Sequence, residues 1–298
     1  MSYKIVVDSC CELPEELKGD PRFEIVPLGI EVGDWHIQDD AGFNQAEFLK
    51  KVAECPTCPR SSCPSPDRYK QSFDCDAEHI YVVTLSANMR AFDCDADHVY
   101  AVTLSAELSG SYNSAVLGKN LYEEKHNDKK IHVVDSKSAS CGEAQIALKA
   151  MELEEQGLSF EEIVKRLEDF RDEMNTYFVL NNLETLRKNG RLTGVKALVA
   201  STLNIKPVMG ATAEGTIIQL GQAIGFKKAL QKLADTVVQG TKNPQKKCLM
   251  ITHCNNPAKA ESVRQMILEK VQFADSRILD TAGISSMYAN DGGIIIAV

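Results

Sequence analysis

The first half of the chain alternates short apolar runs rich in β-branched residues with segments of helical periodicity. Residues 4–8 and 131–135 are such runs, and each ends in the polar pair Asp-Ser. The extended segment 23–32 contains Pro27, which places it at a sheet edge or a bend. Strands alternating with helices are typical of a parallel sheet covered by helices. The helices are predicted at 44–52, at 142–156 and from Ser159, which begins a capping box with Glu162.

From about residue 177 the strands are shorter and lie among helices, which is typical of an α+β arrangement. We therefore predict an α/β protein of two domains: an N-terminal parallel-sheet α/β domain, 1–176, and a C-terminal α+β domain, 177–298. A chain of 298 residues is long enough for both. The predicted C-terminal elements are strands at 205–209, 216–220 and 247–252, helices at 226–239 and 257–271, and a buried strand at 294–298.

A tandem repeat interrupts the first half. The segment 73–87 recurs almost unchanged at 92–106, a shift of 92 − 73 = 19 residues, so the two copies span 73–91 and 92–110. Two copies indicate a local duplication, since a repeat architecture needs at least three stacked units. The paired His79 and His98 are then copies of one strand entrance and not converging metal ligands. We predict that the second copy forms the core strand and that the first is an added hairpin or surface excursion.

The charge balance excludes some classes of partner. The chain has 42 acidic and 33 basic side chains, a net charge of −9, which repels phosphate backbones and anionic lipid headgroups. No apolar run approaches the roughly 18 residues that a membrane helix needs, and the first residues lead into a strand without a signal-peptide pattern. We therefore expect a cytoplasmic protein without stable membrane insertion and without a nucleic-acid partner.

Ten cysteines are spread along the chain, and without an export signal a disulfide framework is not expected. Cys55 and Cys58 form a C-x-x-C pair with Cys63 close behind, which resembles the first half of a zinc site. No second C-x-x-C or paired histidine motif follows, and the pair does not follow a strand as a redox motif does. We therefore predict neither a metal nor another cofactor.

Two loops rich in small hydroxyl residues carry the candidate chemistry. After the second repeat copy, residues 107–115 form a serine-rich turn that opens a helix at the end of a strand, a place where free N–H groups and the helix dipole bind anions. The alternative is an ordinary serine N-cap. A second hydroxyl loop, 60–66, lies upstream among prolines. The sequence has no G-x-G-x-x-G or G-x-S-x-G motif, so nucleotide binding and α/β-hydrolase chemistry are disfavoured.

These motifs together resemble the DegV family of fatty-acid-binding proteins. The resemblance covers essentially the whole chain, in order. Its motifs are Asp8-Ser9 after the first strand, the loop at 61–65, the turn at 108–115, Asp135-Ser136, the segments at 183–192 and 203–207, and a glycine-rich C-terminal strand.

The resemblance implies a protein that holds one long-chain fatty acid in an apolar tunnel, with the carboxylate bound by hydroxyls and amides at the domain interface. Family members serve as the acyl-carrier subunit of a bacterial fatty acid kinase, so this chain would not be an enzyme by itself. A separate ATP-binding kinase subunit, similar to dihydroxyacetone kinases, would form the acyl phosphate. The expected carboxylate ligands are Ser61 or Ser62, Ser109 with the amide of Gly110, and Ser105. Arg191 and Tyr288 are expected to meet the kinase or the acyl phosphate.

The chain departs from the family pattern at two residues of the expected site. Ser61 stands where the family commonly has threonine, which preserves the hydroxyl. Tyr288 stands near the position of a histidine that many members carry, and a tyrosine cannot become cationic at neutral pH. Two other functions stay open from the sequence: a serine hydrolase that uses Ser109 with His253, and a binder of another small carboxylate.

Overall fold

The structure is a computed structural model, and it describes residues 3–73, 97–126, 128–192 and 204–298. Nearly all of the first repeat copy, 73–91, falls outside these ranges, so its predicted excursion stays a prediction.

Within these ranges the strands are β1 (Tyr3–Asp8), β2 (Phe23–Val26), β3 (Gly29–Val32), β4 (Trp35–Gln38), β5 (Arg60–Ser62), β6 (His98–Thr103), β7 (Lys130–Asp135), β8 (Thr176–Val179), β9 (Ile205–Ala211), β10 (Ile217–Ile224), β11 (Cys248–His253), β12 (Asp275–Asp280) and β13 (Ile294–Ala297). The helices are α1 (Gln45–Glu54), α2 (Pro66–Phe73), α3 (Ser111–Glu123), α4 (Cys141–Glu155), α5 (Phe160–Glu173), α6 (Glu184–Lys188), α7 (Phe226–Gly240), α8 (Pro257–Leu268) and α9 (Gly283–Ala289). Short 3₁₀ turns span Glu15–Leu17 and Pro244–Lys246.

The N-terminal half contains a four-stranded sheet in the order β2-β1-β6-β7, with every neighbouring pair parallel. The predicted parallel-sheet α/β architecture is thus confirmed. Pro27 follows β2 directly, and β2 lies at the edge of this sheet, as the sequence predicted. Since proline has no N–H to donate, the chain leaves the sheet there and continues as β3 in a separate sheet.

The second repeat copy supplies the central strand β6, which confirms the prediction for that copy. All six residues of β6 are buried, because the strand pairs with β1 on one side and β7 on the other. Its polar side chains are satisfied: Nδ1 of His98 lies 2.8 Å from Oε1 of Glu154, and the hydroxyl of Tyr100 donates to the same oxygen at 2.7 Å. His98 and Tyr100 both belong to the second repeat copy, and both are bound to Glu154. The duplicated histidine therefore has a structural role here.

A small antiparallel sheet, β4-β3-β5, lies beside the four-stranded sheet. The sequence predicted only a proline-held loop at the position of β5. In the structure Ser61 is paired with Ile30 and Ser62 with Gly29. Prolines on both sides limit this strand to three residues, although they do not prevent its pairing with β3. A strand this short has no recognisable sequence pattern.

The C-terminal half forms a six-stranded sheet in the order β10-β9-β8-β13-β11-β12, in which only β11 and β12 are parallel. The predicted terminal strand is β13, and it lies in the interior of this sheet. Helices α7 and α8 pack on one face of the sheet, where their apolar side chains join one hydrophobic core. The mixed sheet with helices agrees with the predicted α+β arrangement.

Helix α4 packs on both sheets. Its side chains Ile146 and Ala147 are fully buried, in one cluster with Val7 and Tyr100 from the N-terminal sheet and Met250 from β11. The predicted division at 176/177 falls where β8 begins, and it stays a prediction. No helix within the described ranges is both long enough and apolar enough to cross a membrane.

Candidate functional site

Two aspartates hold the loop between β6 and α3 from both sides. Oδ2 of Asp8 accepts the backbone N–H of Leu104 at 2.9 Å and the hydroxyl of Ser111 at 2.5 Å. Oδ1 of Asp135 accepts the N–H of Ala106 at 3.0 Å. Since β6 lies between β1 and β7, the two Asp-Ser pairs of the sequence position a single loop at the carboxyl edge of the sheet.

The three predicted residues of this loop have different partners. The hydroxyl of Ser105, fully buried, donates to the carbonyl of Gly215 at 3.0 Å, in the turn between β9 and β10. Oγ of Ser109 accepts the N–H of Ser111 at 3.2 Å, and Gly110 is the exposed N-cap residue of α3. Ser105 therefore joins the two halves of the chain, and Ser109 satisfies a free N–H at the start of the helix.

The second hydroxyl loop reaches the same edge. Strand alternation separates its two serines: Oγ of Ser61, which is half-buried, lies 3.1 Å from the hydroxyl of Tyr288, whereas Ser62 is exposed. Cys63 lies against the other loop, since a Cβ atom added to Gly110 would be 3.1 Å from its Sγ. The two hydroxyl loops therefore meet.

Arg191 connects these loops to Tyr288. Its Nε donates to the carbonyl of Leu108 at 3.0 Å, and its Nη1 donates to the carbonyl of Asn189. Its guanidinium carbon lies 5.9 Å from the centroid of the Tyr288 ring, within the range of a cation–π contact. The side chain of Arg191 is half-buried.

A cavity of about 90 Å³ lies between the two halves of the chain, and its wall is almost entirely apolar. One water needs about 10–15 Å³ of such space, so the cavity has the room of several water molecules. The wall includes Arg191 and Tyr288 but none of the predicted carboxylate ligands Ser61, Ser62, Ser105, Ser109 and Gly110; Ser61 adjoins it through its contact with Tyr288. Its apolar side chains come from both halves: Leu104, Leu108, Phe178, Leu180, Leu186, Ile217, Ile284 and Ile295.

Helix α9, which carries Tyr288, is anchored by an acid that the sequence analysis missed. Asp39 is buried, and its two carboxylate oxygens accept the N–H groups of Gly283 and Ile284, both at 2.7 Å. A Cβ at Gly283 would lie 2.5 Å from Oδ1 of Asp39, so only glycine permits this approach. Burial nevertheless raises the pKa of Asp39 to about 6.

Three further acids lie buried near the end of β1. Burial raises the pKa of Glu12 to about 8, and it raises the pKa values of Asp8 and Glu143 as well. Glu143 is fully buried, and neighbouring carboxyl groups add to its shift. The position of Glu12, four residues after Asp8 and within a run of cysteine and leucine, is the only sequence signal of this cluster.

The described cysteines are all free thiols. Burial raises the pKa values of Cys10 and Cys11 well above the usual range, so both stay protonated at neutral pH. Among the residues that the structure describes, no three His, Cys, Asp or Glu side chains converge as a metal site.

The geometry gives no support to a serine hydrolase. His253 is buried, and its Nδ1 lies 3.4 Å from Oδ1 of Asp280. The same nitrogen accepts a hydrogen bond from the backbone N–H of Asn256 at 3.3 Å. Within the described ranges no hydrogen bond joins His253 to Ser109, whose Oγ serves the helix start. A nucleophile needs its base within hydrogen-bond reach.

The fold and the site define an α/β protein that encloses an apolar cavity between two sheets. A family profile described as "Uncharacterised protein, DegV family" matches residues 2–298. The chain belongs to the DegV family, which confirms the resemblance seen in the sequence. A DegV domain-containing protein of Streptococcus pneumoniae (strain ATCC BAA-255 / R6) is 35% identical over 300 residues, which cover 99% of this chain and 98% of that protein.

Solved structures of the family superpose over the whole chain. A DegV family protein from Ruminococcus gnavus ATCC 29149, refined with vaccenic acid, is 51% identical with a TM-score of 0.91 and covers 100% of this chain and 99% of its own. The Streptococcus pneumoniae Fatty Acid Kinase (Fak) B3 protein, loaded with linoleic acid, is 33% identical with a TM-score of 0.85 and the same coverage. These similar proteins thus bind fatty acids, and one belongs to a fatty acid kinase.

Proposed function

We propose that the protein binds one long-chain fatty acid in the cavity between its two halves and presents the carboxylate to a separate kinase subunit. The observation that carries the proposal is the apolar cavity whose wall includes Arg191 and Tyr288, with Ser61 in contact with the tyrosine hydroxyl. The bound fatty acids of the similar structures support it.

The two parts of a fatty acid match the two parts of this site. Burying the acyl chain contributes about 0.8 kcal/mol per methylene group. The buried carboxylate needs charge-assisted hydrogen bonds to offset its lost hydration, and the hydroxyls of Ser61 and Tyr288 and the guanidinium of Arg191 are the donors at this end of the cavity. A small carboxylate would leave most of the apolar wall without contact, so the cavity favours a long acyl chain.

In this proposal the chain is a carrier and supplies no nucleotide site. A dihydroxyacetone-kinase-like ATP-binding subunit would transfer the γ-phosphoryl group of ATP to one carboxylate oxygen, which forms an acyl phosphate and releases ADP. The guanidinium group of Arg191 would stabilise the negative charge on the transferred group. Tyr288 would hold the carboxylate by a neutral hydrogen bond.

Native mass spectrometry of the purified protein tests the binding step. We expect one copurified long-chain fatty acid per chain, and the delipidated protein should bind palmitate or oleate again. The carrier step is tested by adding the kinase subunit and ATP and trapping the acyl phosphate with hydroxylamine. A delipidated protein that binds no fatty acid contradicts the proposal, and loaded protein that yields no acyl phosphate contradicts the carrier role alone.

Two neighbouring serines provide a matched pair of variants. We expect Ser61→Ala to weaken palmitate binding by about tenfold or more, because a hydrogen bond to a charged group contributes about 1.5–3 kcal/mol. Ser62→Ala should change the affinity by less than about twofold, since that side chain is exposed on the opposite face of β5. Calorimetric titration of both delipidated variants measures the difference. Equal losses in the two variants would show that Ser61 does not hold the carboxylate.

A further inference from the structure

The cavity wall contains several polar side chains, and two of them, Cys10 and Ser285, form a weakly paired spot. Cys10 and Ser285 both line the cavity, and Sγ of Cys10 lies 3.5 Å from Oγ of Ser285. Both residues are almost fully buried, with 2% and 4% of their surface exposed. A contact of a hydroxyl with a thiol is weak, so Ser285 retains most of its capacity for a stronger partner.

An incompletely partnered acid lies beside this spot. Oε1 of Glu12 accepts the N–H of Ala282 at 3.1 Å, whereas Oε2 has no hydrogen-bond partner within the described ranges. The hydroxyls of Ser285 and Ser140 both lower the pKa of Glu12, although burial raises it overall. Glu12 is only 4% exposed. Glu12 does not line the cavity, so a ligand reaches this acid only through the hydroxyl of Ser285, which can donate to the carboxyl group while it accepts from the ligand.

The spot is also electrically neutral. Burial keeps both the Cys10 thiol and the Glu12 carboxyl group largely protonated at neutral pH. Its groups therefore donate and accept hydrogen bonds without attracting an ion. A hydroxyl, which is neutral and both donates and accepts, matches these properties, whereas a plain hydrocarbon chain lying across the spot would satisfy none of them.

We propose that the cavity accommodates long-chain fatty acids that carry a hydroxyl on the acyl chain, and that Ser285, with Cys10 and Glu12 around it, binds that hydroxyl. This inference rests on the proposed function. Ser285 and Tyr288 lie three residues apart on α9 and so share one face, about 4.5 Å apart along the helix axis. Since Tyr288 is at the carboxylate end, the hydroxyl belongs in the half of the chain nearer the carboxylate.

Competition binding on the delipidated full chain tests this inference. Stearate is compared with hydroxystearates that carry the hydroxyl near the carboxylate, at mid-chain or at the methyl end. We expect the wild-type protein to prefer one of the first two over the methyl-end isomer. In Ser285→Ala, the affinity for that isomer relative to stearate should fall about fivefold to tenfold, as expected for the loss of one hydrogen bond.

Ser138→Ala is the matched control, because Ser138 lines the same wall but its hydroxyl is paired with Oγ1 of Thr176 at 2.6 Å. That variant should change the affinities for stearate and for the preferred hydroxystearate by the same factor. Glu12→Gln is a second variant in case Ser285→Ala does not fold, and it should also lower the preference. The inference is wrong if wild-type protein binds stearate but shows no preference for a hydroxystearate. It is also wrong if both variants keep the wild-type preference. If stearate itself does not bind, the proposed function is wrong.

Discussion

Asp8→Ala is expected to lower the free energy of unfolding by about 3–5 kcal/mol. The substitution leaves three buried donors without their acceptor: the N–H groups of Cys10 and Leu104 and the hydroxyl of Ser111. Each unsatisfied buried group costs about 1–3 kcal/mol, and the fully buried site admits no water to replace the carboxylate. Because the same contacts hold the β6–α3 loop, fatty-acid affinity should fall as well. Urea denaturation and calorimetric titration measure the two effects.

Asp135→Ala is the matched control on the other side of the same loop. Oδ1 of Asp135 accepts the N–H groups of Ala106 and Lys137, but the residue is only half-buried, so water can replace it. We expect a loss of about 1 kcal/mol for this variant. If Asp8→Ala costs no more than Asp135→Ala, the burial of Asp8 does not have the importance that we assign to it.

The second large effect is a loss of stability as the pH rises. The pKa of Glu12 is about 8 in the folded protein, against 4.5 for an ordinary glutamate. Between these values the unfolded chain releases a proton that the folded protein retains, so the free energy of unfolding falls as the pH increases. One group contributes a slope of at most about 1.4 kcal/mol per pH unit. Asp39 adds to this slope between pH 3.8 and about 6.

Glu12→Gln removes the titration and keeps the shape of the side chain, so its stability should depend less steeply on pH from 5 to 8. Glu54→Gln, at an exposed position at the end of α1, should retain the wild-type slope. Denaturant midpoints measured at each pH unit give the three slopes. Parallel curves for wild type and Glu12→Gln would rule out Glu12 as the source of the pH dependence.

Much of the fold was predictable because local patterns determine it. The capping box at Ser159, the helical periodicity at 44–52 and the apolar run of β13 each specify an element within a few residues of chain. The repeated Asp-Ser pairs lie at one edge of the sheet, since parallel strands place their carboxyl ends together. The family resemblance then supplied the order of the motifs.

The pairings of the site were not predictable in the same way, because they join distant parts of the chain. Ser61 and Tyr288 are 227 residues apart, and Cys10 and Ser285 are 275 residues apart. No local periodicity reports such contacts. The choice between Ser61 and Ser62 depended on β5, a strand of three residues whose register with β3 decides which hydroxyl faces inward.

The packing of α4 on both sheets has a consequence for how a ligand is exchanged. A bilobed protein with a cleft can open by rotating one lobe about a hinge. Here such a rotation would separate α4 from either Val7 and Tyr100 or Met250, and so would divide one continuous hydrophobic core. The shared core therefore opposes a rotation of one lobe against the other, and a fatty acid bound as proposed would have to exchange by local movements of the residues around the cavity.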